Sequence, residues 1–284
     1  MPRKWFSCYD REEEMKWLGR LFGRREQLPM LTLGALADPV DIRDYKYIDA
    51  SPRARLPAGV ELPNWGGIDL QNLPPIRNQQ GLGSCVGMAA THVRETILRR
   101  MCPDTQVQLS PMALYFMCRE LMGTIGEDSG AYLRNAFKLL AQVGVPLERD
   151  WPYIIDQQEL WKQKPGNLAM SLAGRYKIYC YRRLEDIGQM RECLAAGFPF
   201  AVHIRMYPSQ LQLKYSSGYP GDILPAPEAG EMPAGGHAIM VFAYFYNWFF
   251  ARNSWGPKWC GDSNFWIGDR LMEQSWVDCW MAEG

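Results

Sequence analysis

Four side chains in this sequence are of the types that carry out acyl chemistry together. Asn78-Gln79-Gln80-Gly81-Leu82-Gly83-Ser84-Cys85 is a glycine-rich turn that feeds an amphipathic stretch, so Cys85 is expected at a helix N-terminus. A thiol there faces the first unpaired backbone N–H groups and the positive end of the helix dipole. Both favour the thiolate, which is the nucleophilic form. Gln79 can place a side-chain amide beside the same point. Near the other end stand Gly235-Gly236-His237-Ala238-Ile239 and, after an aromatic run, Arg252-Asn253-Ser254-Trp255-Gly256. A thiolate needs a base, and an imidazole needs a partner that fixes its tautomer. Cys85, His237 and Asn253 supply those roles in the order Cys, His, Asn. A lone cysteine after such a turn is more often a small buried hydrophobe; the distant His–Asn pair outweighs that reading.

These residues resemble the papain-like cysteine peptidases. The resemblance is carried by Gln79 to Cys85, by Gly83-Ser84-Cys85, by His237-Ala238 and by Asn253-Ser254-Trp255-Gly256. Asn253 follows His237 by 16 residues, and His237 follows Cys85 by 152. Leu109-Ser110-Pro111, the segment Gly126 to Gly130, and Trp151-Pro152-Tyr153 agree more weakly, so the likeness runs from about Leu56 to the last residue. It implies an α+β fold of two lobes: a helical lobe over about residues 80–170 and a β-barrel lobe over about 171–284, with the active site in the cleft between them. It implies Cys85 as nucleophile, His237 as base and acid, and Asn253 as the group that orients the ring. Gln79 and the Cys85 N–H would form the oxyanion hole. Ser129, Gly130, Gly235, Gly236 and Trp255 would surround the substrate, with Trp255 also shielding the His–Asn bond. Four positions depart from the pattern. Leu82 stands where papain has a disulfide cysteine, Val86 replaces an aromatic residue, Cys260 replaces a glycine, and Gly236 leaves a pocket position without a side chain.

Composition bounds the alternatives. The chain has 284 residues, 47% of them hydrophobic, and carries 31 charges of each sign, so nothing points to nucleic acid. No apolar run approaches the roughly 20 residues of a membrane span. The first ten residues lack a signal-peptide core, so the protein is expected in the cytoplasm or on an export route without a cleavable signal peptide. Eight irregularly spaced cysteines in a chain this long read as reduced thiols. His92, His203 and His237 form no metal-ligand pattern with them, so no metal or cofactor is expected. His92, inside the helix, and His203, on a strand, read as structural.

Residues 1–55 stand outside the motif set as an N-terminal extension, and residues 56–284 form the peptidase domain. Asp10-Arg11-Glu12-Glu13 reads as a capping box opening a helix with Met15, Leu18 and Phe22 on one face. Residues 30–60 read as an extended, turn-rich strap. The extension is either a helix docked on its own domain or an inhibitory prosegment occupying the cleft, which in the family lies backwards. Helices are expected over 85–100, after the Ser110-Pro111 cap, and from Ser129 to Leu140. Strands are expected over Phe198 to Arg205 and over Ile239 to Phe250, broken at Tyr246-Asn247. The function expected is a cysteine endopeptidase acting on peptides or proteins. Two other readings stand beside it: another acyl-transfer enzyme on this fold (a transpeptidase, deamidase or exopeptidase), and an inactive binding scaffold.

Overall fold

Val86, Ala89, Ala90, Val93 and Ile97 repeat at helical spacing, and all are buried on one face of α1 (Cys85–Met101), which closes with Arg99 and Arg100 where the dipole favours cations. The computed structural model describes residues 31–155, 159–211, 222–260 and 262–284; the helix expected from Asp10 lies outside them. Gly87 lets a second helix approach α1 closely, since a Cβ there would fall 2.6 Å from the Pro111 carbonyl oxygen. That second helix, α2 (Pro111–Met122), begins as its cap and proline direct: Ser110 Oγ accepts from Ala113 N at 3.0 Å. It ends at Gly123, whose φ is 73°.

The third helix starts later than its sequence suggests. α3 covers Leu133–Gln142, and Ala131–Tyr132 just before it are strand instead. Gly130 has φ +73°, which breaks helical propagation. The amide of Ala131 goes to Gly34 O at 2.8 Å, so β3 (Ala131–Tyr132) pairs in parallel with β1 (Ala35–Leu36) of the strap. A strand partner 96 positions away thus outcompetes local propensity.

The remaining strands are β2 (Trp65–Gly67), β4 (Cys180–Arg183), β5 (Phe200–Met206), β6 (Asp222–Ile223), β7 (Gly235–Phe245), β8 (Trp248–Arg252), β9 (Asn264–Gly268) and β10 (Trp276–Glu283). They form one sheet in the order β4-β10-β5-β7-β8-β9-β6, with β2 added to β7. The expected barrel is therefore an open sheet among the described residues, because its end strands β4 and β6 do not pair with each other. Helices α4 (Ile187–Ala195) and α5 (Asp269–Ser275) complete this half. The β7–β8 hairpin turns at Tyr246-Asn247, with Tyr246 at φ 49°.

β7 explains its own uninterrupted apolar sequence. Ala238, Met240 and Phe242 face the core built with α1, α2 and α3, whereas Ile239 and Val241 face a second core with Val202, Ile204, Phe249 and Phe265. Side chains alternate along a strand, so a strand between two cores is hydrophobic at every position. The strap joins the second core as well: Tyr47 is fully buried and donates to Ala54 O at 2.7 Å. All seven described cysteines are unpaired. Among the described residues no helix is long and apolar enough to cross a membrane, and no three His, Cys, Asp or Glu side chains gather as metal ligands do.

Candidate active site

The loop before Cys85 is held by its own side chains and by the far end of the chain. Asn78 Oδ1 accepts from Gln80 N at 2.8 Å, turning the backbone so that Gln80 adopts φ 53°. Gln79 N donates to Ser254 O at 2.7 Å, which docks the loop on the Asn253-Ser254-Trp255 segment. Tyr153, from the Trp-Pro-Tyr run, donates its hydroxyl to Gln79 O at 2.8 Å and meets Ser84 Oγ at 2.6 Å. Cys85 then opens α1 and is fully buried.

His237, near the start of β7, sits 2.7 Å through Nε2 from Asn253 Oδ1. That oxygen also accepts from Ser254 N at 2.7 Å, which identifies it as the carbonyl end of the amide. An acceptor on Nε2 assigns the ring proton to Nε2 and leaves Nδ1 as a bare base. Nδ1 has no hydrogen-bond partner. Trp255 stacks on the imidazole, centroids 4.3 Å apart, and Trp259 meets Trp255 edge-on at 5.1 Å. Trp255 is thus packed behind the base and covers its bond to Asn253.

Gln79 is oriented by a residue that sequence reading passed over. Ser254 Oγ donates to Gln79 Oε1 at 2.7 Å, so the amide nitrogen must face the other way. Nε2 donates to Leu82 O at 2.9 Å and to Thr32 O at 3.0 Å. Thr32 belongs to the strap, which crosses here. Gly34 N donates to Gly236 O at 3.1 Å, and Gly34 O accepts from Ala131 N at 2.8 Å. Of the residues expected around a substrate, Gly130, Gly235 and Gly236 are where the strap lies closest. A Cβ on Gly130 would fall 2.4 Å from Gly34 O, one on Gly235 2.9 Å from Leu33 Cδ1, and one on Gly236 2.2 Å from Ala35 O. Ser129 turns away, its hydroxyl 2.8 Å from Thr124 Oγ.

This cover reverses the electrostatics expected of a thiolate beside an imidazolium. Burial pushes the Cys85 thiol up to about 11, although the amides of Ala238, Gly34, Val86 and Cys85 itself favour the thiolate. Burial likewise pulls His237 down to about 4, against the opposing bond from Asn253. Under the strap both groups are neutral near pH 7. Of the two other histidines, His92 is buried in α1 with Nε2 unpartnered, and burial holds it well below its ordinary value. His203 lies nearer the site than a structural reading suggests: its Nε2 abuts Gly236, and its Nδ1 is 3.5 Å from Asp278 Oδ2.

The fold and these residues define a class. Residues 64–282 match the model of the papain family of cysteine proteases, and the chain belongs to that family. An uncharacterised peptidase C1-like protein of Acanthamoeba polyphaga mimivirus is 26% identical over 64% of this chain and 60% of its own length. Papain of Carica papaya is 25% identical over 65% of this chain and 48% of its own. The chain therefore spans about half of these curated relatives. Xylellain, a cysteine protease from Xylella fastidiosa, has a structure similar to this one at a TM-score of 0.76, with 26% identity across 92% of this chain and 98% of that one.

Proposed function

We propose that the chain is a cysteine endopeptidase working through an acyl-enzyme on Cys85, held shut by its own residues Thr32 to Asp38. One observation carries the reading. The cleft already holds an extended peptide across Cys85, bound through its main chain by Gln79 Nε2, Gly236 O and Ala131 N. A cleft that grips backbone over a cysteine is suited to peptide substrates by strand-like pairing. The Thr32 carbonyl takes the donor that an oxyanion would need.

With the strap displaced, water reaches the site and the burial cost on both groups falls, which lowers the thiol and raises the imidazole. The Sγ proton passes to His237 Nδ1 while Sγ bonds to the scissile carbonyl carbon. The carbonyl oxygen, now an anion, accepts from Gln79 Nε2 and the Cys85 amide. Collapse breaks the C–N bond, and the amine leaves with the proton from Nδ1. Water then gives a proton to Nδ1 and attacks the thioester, releasing the acid and restoring the thiol. Asn253 keeps the ring in the tautomer that leaves Nδ1 free.

Gly34→Ala tests this in the full chain. A Cβ at Gly34 would lie 2.0 Å from Gly83 O, so the strap cannot seat in the same way. Intact mass after treatment with a peptidyl epoxide should show one adduct, absent from Cys85→Ala and formed at least 10-fold faster in Gly34→Ala. Equal rates would remove the strap from the reading. The closed cleft also favours a second reading, an inactive binding scaffold; no Cys85-dependent adduct in Gly34→Ala would establish it. Product transfer to added amines in place of hydrolysis would mark a transferase.

A further inference from the structure

Asp128 lies in the Gly126 to Gly130 segment but was given no role there, yet it joins the two backbone segments that flank Cys85. Its carboxylate accepts from Gly83 N, at 3.1 Å to Oδ1 and 3.0 Å to Oδ2. Tyr115, on α2, donates its hydroxyl to Asp128 Oδ1 and accepts from Gly130 N at 3.1 Å. A single chain of hydrogen bonds therefore runs from the amide of Gly83, on the nucleophile loop, to the amide of Gly130, on the opposite wall. Bonds to a carboxylate are shorter and stronger than neutral ones.

The tie is itself anchored. Arg119 Nη1 donates to Ile125 O at 3.1 Å and Glu127 O at 2.9 Å, and its guanidinium lies 4.3 Å from the Tyr115 ring centroid. Burial and the Asp128 carboxylate push the Tyr115 phenol upward, so it stays a donor. Leu82, next to Gly83, offers no sulfur for a covalent link, so the loop depends on such bonds for its position. Gly83 fits closely: a Cβ there would sit 3.0 Å from Asp128 Oδ1 and 3.5 Å from Gly34 Cα. The peptide lying over Cys85 is thus in contact with the loop at the point where Asp128 holds it.

We propose that Asp128 is a positioning residue which, through Tyr115, sets the spacing between the Gly83–Cys85 loop and the Gly130–Ala131 segment. It thereby aligns a peptide held on Ala131 N with the Cys85 amide and Gln79. This rests on the peptidase reading. Misplacement by about 1 Å costs on the order of 100-fold in rate.

The experiment compares Asp128→Ala and Asp128→Asn in the full chain carrying Gly34→Ala. It measures turnover of a peptide amide and the alkylation of Cys85 by iodoacetamide, which needs neither wall. Asp128→Ala should lower kcat by about 10- to 100-fold with little change in KM, and leave alkylation within about 2-fold. Asp128→Asn keeps an oxygen for Gly83 N and the Tyr115 hydroxyl, and should restore most of kcat. Unchanged kcat in Asp128→Ala would overturn the proposal. So would a parallel fall in alkylation, which would mean a damaged fold, or a loss in both variants confined to substrates with a basic residue before the cut, which would mean charge selection. A parent protein that neither turns over peptide nor takes up peptidyl epoxide at Cys85 would remove the peptidase reading, and this proposal with it.

Discussion

In the proposed mechanism Gln79 serves two opposed states. Ser254 fixes its orientation, and the amide then reaches either the Thr32 carbonyl or a substrate oxyanion, but not both. Gln79→Ala should therefore act in opposite directions in two assays. Peptide hydrolysis in the Gly34→Ala protein should fall on the order of 100- to 1,000-fold, the usual cost of one oxyanion donor. Iodoacetamide alkylation of Cys85 in the otherwise unaltered chain should rise, because the strap loses a hydrogen bond. Steady-state kinetics and intact mass would read the two effects, and a fall in both would argue against the strap's role. The candidate groups at this scale were legible because Cys85, His237, Asn253 and Gln79 announce themselves by type and spacing. Ser254 and Asp128 were not, since each acts through a contact that only the folded chain creates, 175 residues away in one case and 45 in the other.

Among the elements, those specified by their own residues were foreseeable. The Ser110-Pro111 cap starts α2, the apolar stripe builds α1, and Tyr246-Asn247 turns the hairpin, each a local effect. The extended start of the Ser129–Leu140 stretch and the open sheet were not, because pairing with the strap and the ends of the sheet depend on distant partners. The α1–α2 contact carries its own expectation. Gly87→Ala adds helix propensity but drives a methyl toward the Pro111 carbonyl at 2.6 Å. Overpacking against backbone should win, costing about 1–3 kcal/mol. Urea denaturation would measure it; a variant as stable as its parent would mean that α2 yields freely.

For the whole molecule, the strap's docking should depend on pH through Asp38. Its carboxylate accepts from Trp280 Nε1 at 2.7 Å and Arg134 N at 3.2 Å, and its amide donates to Asp278 Oδ2 at 2.8 Å. Arg183 and His203 face the same Asp278, at 2.9 and 3.5 Å. Burial, and then Asp278, hold docked Asp38 at about 6, against 3.8 for a solvated carboxyl. Docking therefore takes up a proton. Its contribution is complete below about pH 4 and is lost as pH rises through 6, amounting to about 3 kcal/mol or roughly 100-fold. Peptidyl-epoxide labelling of the full chain, divided by that of Gly34→Ala at each pH, should rise by up to that factor between pH 4 and 7. Asp38→Asn should flatten the ratio; a flat ratio in the unaltered chain would count against the Asp38 contribution.

The strap is also moored beyond the cleft, where Tyr47 and Ala54 are fully buried in the second core. Residues that leave Cys85 remain tethered at Tyr47, nine residues beyond Asp38. In the proposed mechanism inhibition is then intramolecular, with an effective local concentration in the millimolar range for a short flexible link. Diluting the protein cannot relieve it, and a competing peptide must exceed that concentration to enter. A single cut between Asp38 and Tyr47 would change the physics, turning a tethered blocker into a free peptide that dilution carries away.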